Sequence, residues 1–126
     1  MKNITLWLEK VERFLIDHGG SELYYLLKAM CEAKKINFLD LISDASKGLG
    51  ETVSEDIAYM LDQDLDDPKK FEGAIFIFGD SEGFPMPIEL FISLIHKVSE
   101  AYIEAHPKDK DSIEFYMNKL RERYSK

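Results

Sequence analysis

Gly73-Ala74-Ile75-Phe76-Ile77-Phe78-Gly79 is the stretch that decides the fold class of this 126-residue chain. Its apolar residues are mostly β-branched or aromatic and stand between two glycines, which reads as a short buried strand. Asp80-Ser81-Glu82-Gly83 follows with turn chemistry. Phe84-Pro85-Met86-Pro87 then has the character of a returning strand. Its prolines cannot donate to a ladder, so they confine it to an edge. The segment predicts a hairpin.

Outward from that hairpin the continuous apolar run gives way to apolar residues at helical spacing. Downstream, Ile88, Phe91, Ile92, Ile95, Val98, Tyr102 and Ile103 mark one face of a helix that His106-Pro107 ends. Ile113, Tyr116, Met117 and Leu120 predict a last helix. Upstream, Ser54 opens a short helical piece carrying Ile57, Met60 and Leu61, and Asn37 opens another that reaches about Ser46 and stops near Gly48 and Gly50. Before these, Ser21 is placed to cap a helix to about residue 34, with Leu23, Leu26, Leu27, Met30 and Cys31 on one face and Lys34 and Lys35 against its C-terminal dipole. A first helix from about residue 4 to 17 carries Ile4, Trp7, Leu8, Val11, Phe14 and Leu15, with Asn3 as cap and Gly19-Gly20 as stop. The expected architecture is α+β and predominantly helical: about five to six helices with a small β-hairpin near residues 73–87, in a single domain over 1–126.

Composition agrees with that size. An apolar share of 45% is enough for one core, and the regular recurrence of the apolar positions argues against disorder. Cys31 is the single cysteine, so no internal disulfide forms, and a lone thiol is most easily kept reduced in the cytosol. The N-terminal residues acquire Glu9 before a signal-peptide run develops, and no stretch is apolar enough to span a bilayer. The expected location is therefore cytoplasmic. A net charge of -8 disfavours direct contact with nucleic acid or anionic membrane and favours a basic partner.

Several residues imitate catalytic or metal chemistry. Gly79-Asp80-Ser81-Glu82-Gly83 fits the spacing of a nucleophile elbow, but that elbow needs a helix straight after the serine, where this chain has Phe84-Pro85-Met86-Pro87. Asp62-Gln63-Asp64-Leu65-Asp66 begins like a calcium loop, yet Asp67 stands at the glycine position and Gly73 where a bidentate Glu is required. His18 and His106 sit at helix C-termini, where the dipole favours an imidazolium. His96 and Glu100 are spaced to pair on one helix face. Cys31 lies on an apolar face. No catalytic residue, cofactor site or metal site is assigned, and the chain is read as a non-enzyme.

What remains is charge distribution. Glu51, Glu55, Asp56, Asp62, Asp64, Asp66, Asp67 and Glu72 are opposed within their stretch by Lys69 and Lys70 alone. Unpaired carboxylates are too costly to bury, so they should form a solvated surface. Glu55, Asp56, Asp62, Asp64, Asp66 and Asp67 are the candidate partner-binding residues.

The second half carries a resemblance. Phe71-Glu72-Gly73-Ala74-Ile75-Phe76, a turn, a short apolar segment and a helix closing on Ala101-Tyr102-Ile103-Glu104-Ala105-His106-Pro107 resemble the immunity proteins of bacterial contact-dependent growth inhibition systems, over roughly residues 71–120. The resemblance implies a small cytoplasmic protein without enzymatic activity that binds a toxin domain delivered by a neighbouring cell and blocks it. It implies a partner that is commonly a basic nuclease, toward which an acidic surface steers association. It carries no functional residue over to a named position: Phe71, Gly73 and Tyr102 match its pattern and read as strand, turn and core. The leading expectation is stoichiometric inhibition of such a toxin; the alternative is a non-catalytic adaptor or regulatory subunit of a bacterial complex.

Overall fold

The computed structural model describes residues 6–61, 73–83 and 85–124. The chain order is α1 (Leu6–Asp17), α2 (Ser21–Ala33), α3 (Phe38–Ser46), β1 (Glu51–Ser54), β2 (Ile57–Leu61), β3 (Ala74–Phe78), β4 (Ser81–Glu82), α4 (Ile88–Ala105) and α5 (Lys110–Arg123), with a 3-10 turn at Pro107–Asp109. The fold is α+β and predominantly helical, as expected.

The N-terminal helices end and begin where local chemistry dictates. The backbone N–H of Gly20 donates to Leu15 O at 2.6 Å, closing α1. Gly20 is the N-cap of α2 and contributes no side chain, so the expectation that Ser21 caps this helix is corrected: Ser21 is its first residue. At the far end Lys34 takes a left-handed φ of 60° and its N–H donates to Met30 O. Asn37 then forms a full capping box, accepting from Asp40 N at 2.9 Å while its own N–H donates to Asp40 Oδ2 at 3.2 Å. Such reciprocal caps satisfy two amides that a helix start otherwise leaves orphaned.

The second correction concerns residues 54–61. The helical piece expected from Ser54 is a hairpin: β1 and β2 pair antiparallel, with Glu51 opposite Tyr59 and Ser54 opposite Ile57. Glu55-Asp56 is its two-residue turn. The run Ile57, Met60, Leu61 satisfies a helical stripe by coincidence, because the strand is apolar on both faces. Its neighbour β3 gives β2 a full set of partners from Ile57–Phe78 to Leu61–Ala74, and that ladder outweighs the local helical pattern.

The expected hairpin at 73–87 is present in a tighter form. Gly79-Asp80 alone makes the turn, with φ +64° at Gly79, so Ser81-Glu82 is strand rather than loop. Pro85-Met86-Pro87 returns only as a single bridge, Met86 to Ala74. Gly73 makes that bridge possible: its φ is +97°, and a Cβ there would collide with Met86 O. The four strands form one antiparallel sheet in sequence order, β1-β2-β3-β4.

Helices cover one face of the sheet. Tyr59, Leu61, Ala74 and Phe76 are buried, and α2 packs against β1, β2 and β3. Phe91 of α4 closes the same core, with its ring 5.7 Å from Tyr59 and 6.5 Å from Phe76. Elsewhere α1 packs on α4 and α3 on α5. A second aromatic group, Trp7, Phe38 and Tyr102, ties α1, α3 and α4 together with rings 5.0–5.8 Å apart.

Candidate protein-binding surface

The register of the sheet decides where the acidic candidates stand. Glu55 and Asp56 occupy the exposed β1–β2 turn. The N–H of Gly79 donates to Asp56 O at 2.7 Å, which brings the β3–β4 turn, with exposed Asp80, to the same end of the sheet. Three carboxylates are thereby grouped on two adjoining turns.

Asp62, Asp64, Asp66 and Asp67 lie outside the described residues. Leu61, the last described residue before them, pairs with Ala74, whereas Ile57 beside the Glu55-Asp56 turn pairs with Phe78. Four strand residues separate those ends by about 13 Å. Glu55 and Asp56 therefore stand at the opposite end of β2 from Leu61.

A further carboxylate group arises between α3 and β1. Asp44 hydrogen-bonds the side chain of Glu51, and this contact, burial and the charge of Asp44 together push the Glu51 carboxyl up to about 7, against a smaller lowering by the N–H of Thr52. Asp40, one helical turn before Asp44, raises it further. The Asp40/Asp44 spacing on one α3 face was the available signal; their meeting with Glu51 depends on how β1 leaves α3, which the sequence does not display.

The other chemically suggestive residues have structural surroundings. Ser81 is exposed in β4 opposite Phe78 and begins no helix. His18 and His106 each donate from Nδ1 to the carbonyl four residues earlier, at 2.8 and 3.2 Å, and stack on Phe14 and Tyr102. A carbonyl only accepts, so the proton is on Nδ1 in both. His96 pairs with Glu100 as its spacing predicts, Nε2 to Oε2 at 3.2 Å, while its Nδ1 accepts from Arg121. Among the described residues no three His, Cys, Asp or Glu side chains are grouped to hold a metal ion.

These features describe a protein whose exposed chemistry is carboxylate on sheet turns and a helix face. A family model described as CDI immunity protein, where CDI is contact-dependent growth inhibition, matches residues 12–117. The chain belongs to this family. The matched region runs from within α1 into α5, so it takes in the N-terminal helices that the resemblance over residues 71–120 left aside. No curated protein and no solved structure matches the chain.

As a CDI immunity protein it neutralises a CDI toxin by binding it. The CDI immunity protein has no helix, among its described residues, long and apolar enough to cross a membrane.

Proposed function

We propose that this CDI immunity protein acts in the cytoplasm by binding one molecule of its cognate toxin domain, a basic nuclease, and occluding the surface that engages nucleic acid. The family match over residues 12–117 carries the reading. The net charge of -8 supports the nature of the partner, since a nuclease must attract phosphate and an acidic inhibitor uses the same field. Contact is assigned to the carboxylates Glu55 and Asp56, and to Asp62, Asp64, Asp66 and Asp67. The protein itself supplies no chemistry; it withholds a surface from the substrate.

The test is a titration of the cognate toxin domain. With the toxin held well above the dissociation constant, nuclease activity should fall linearly with added immunity protein and reach its floor at one equivalent. Inactivation by a small fraction of an equivalent would indicate turnover instead of occlusion. Undiminished activity in a complex that forms would show that a site away from the nucleic-acid cleft is used.

A further inference from the structure

The end of α2 and the start of α3 stand beside the first turn of α1 and the last turn of α4, leaving a cavity of about 310 Å³ between them. That size falls at the lower edge of the range that small-molecule sites occupy, about 300–1,000 Å³. Its floor is the edges of Trp7, Met30 and Tyr102, each more than nine-tenths buried, with half-buried Ile36 beside them, and Trp7 and Tyr102 meet edge to face at 5.0 Å. Cys31 also lines it.

Two features make the cavity preformed. The α2–α3 connection is fixed at one end by the left-handed cap at Lys34 and at the other by the reciprocal Asn37–Asp40 capping box. The rings behind it are packed on one another through Phe38, which is fully buried. A pocket that does not have to be ordered on binding loses less affinity to entropy.

Charge then selects the occupant. Lys34 and Lys35 are both exposed and line the cavity, and neither has an ion-pair partner among the described residues. Asp40 is the acidic lining residue, and its carboxylate is already engaged by the N–H of Asn37. His106 spends Nδ1 on Tyr102 O, and its Nε2 has no hydrogen-bond partner among the described residues. Cationic and hydrogen-bonding groups are thus available at an apolar cavity of a chain whose net charge is -8.

We infer that this cavity binds a small organic acid, a carboxylate carried on an aromatic or aliphatic body. The body lies against Cys31 and Ile36 over the edges of Trp7 and Tyr102, and the carboxylate meets Lys34 and Lys35. The inference rests on the cavity and not on the toxin reading, so either can fail without the other.

The chain carries its own reporters, because Trp7 and Cys31 are its single tryptophan and single cysteine. The full chain is titrated with 4-phenylbutyrate, and with 4-phenylbutanol and 4-phenylbutylamine as neutral and cationic counterparts. Trp7 emission is followed, together with alkylation of Cys31 by neutral iodoacetamide. The carboxylate should give a saturable change in emission and slow alkylation several-fold, with the alcohol and amine binding about tenfold or more weakly. Lys34→Asn with Lys35→Gln should weaken the carboxylate by about tenfold while the melting temperature stays near wild type; asparagine tolerates the left-handed cap. If that pair unfolds the protein, Lys35→Gln alone carries the comparison and should show a loss of several-fold. Equal responses to the three probes, no saturation below about 10 mM, or unchanged affinity in the folded lysine variant would each overturn the assignment. So would protection of Cys31 by the bound toxin domain alone, with the carboxylate inert.

Discussion

Glu51 shows how one side chain can tie stability to pH. Its carboxyl is raised from 4.5 to about 7, first by its hydrogen bond with Asp44. Between those two values the native state holds a proton that the unfolded chain has released, so this group's contribution to stability is full below about 4.5 and declines as pH rises through about 7. Glu51→Gln keeps an N–H donor toward Asp44 at every pH. The variant should therefore gain on wild type as pH rises from 5 to 8; with solvent screening of this partly exposed carboxyl, the advantage is a few degrees in melting temperature, about what 1 kcal/mol gives a domain of this size. Parallel melting-temperature curves for the two proteins would remove the coupling from the account. Gly73 is the other decisive position. Alanine there meets both the unfavourable φ of +97° and a collision with Met86 O, and should cost at least about 2 kcal/mol by denaturant unfolding. A loss within experimental scatter would mean that the β3 entry can relax. Gly73 was legible as a boundary glycine from its place before an apolar run; the Asp44–Glu51 pair was not, because it joins residues of different elements.

Among the elements, the long helices α1, α2 and α4 followed directly from their apolar spacing, and β3 from its flanking glycines. The β1–β2 hairpin did not. Ser54 before Ile57, Met60 and Leu61 has the spacing of a capped amphipathic helix, and no Gly or Asn marks Glu55-Asp56 as a turn. The two readings disagree about side chains in a way that mutation can separate. A helical stripe would put Met60 in the core and leave Tyr59 outside it, whereas the strand buries Tyr59 to 1% exposure and leaves Met60 half-buried. Tyr59→Ala should thus cost about 3–5 kcal/mol, in the range of large-to-small core truncations, and Met60→Thr about 1 kcal/mol or less. Urea midpoints for the two variants in the reverse order would restore the helix. The pairing of His18 with Phe14 and of His106 with Tyr102 repeats one device at two helix ends. The spacing of four was visible in the sequence; that the imidazole turns back to the carbonyl was not.

For the molecule as a whole, the acidic surface was legible as charge but not as shape. Sequence proximity suggested one patch, while antiparallel pairing sends Glu55-Asp56 and Leu61 to opposite ends of β2. Two sets of near-isosteric substitutions separate the candidates: Glu55→Gln, Asp56→Asn and Asp80→Asn at the paired turns, and Asp62→Asn, Asp64→Asn and Asp66→Asn later in the sequence. The set that faces a basic toxin should slow association about tenfold at low salt, less at high salt, with little change in dissociation, because rim charges act chiefly through steering. Stopped-flow mixing at two ionic strengths measures both sets. Wild-type association rates for both would leave the acidic stretch as a solvated surface only. The helix pairing has a consequence in time. Each of α1 and α3 finds its main helical neighbour in α4 and α5, on the far side of the sheet in chain order. A chain still emerging from the ribosome can fold its meander of strands by local contacts, but the buried faces of its early helices stay open until the last helix is released. Until then the nascent chain presents open apolar faces to proteases and to neighbouring chains, so only a finished molecule can shield the cell.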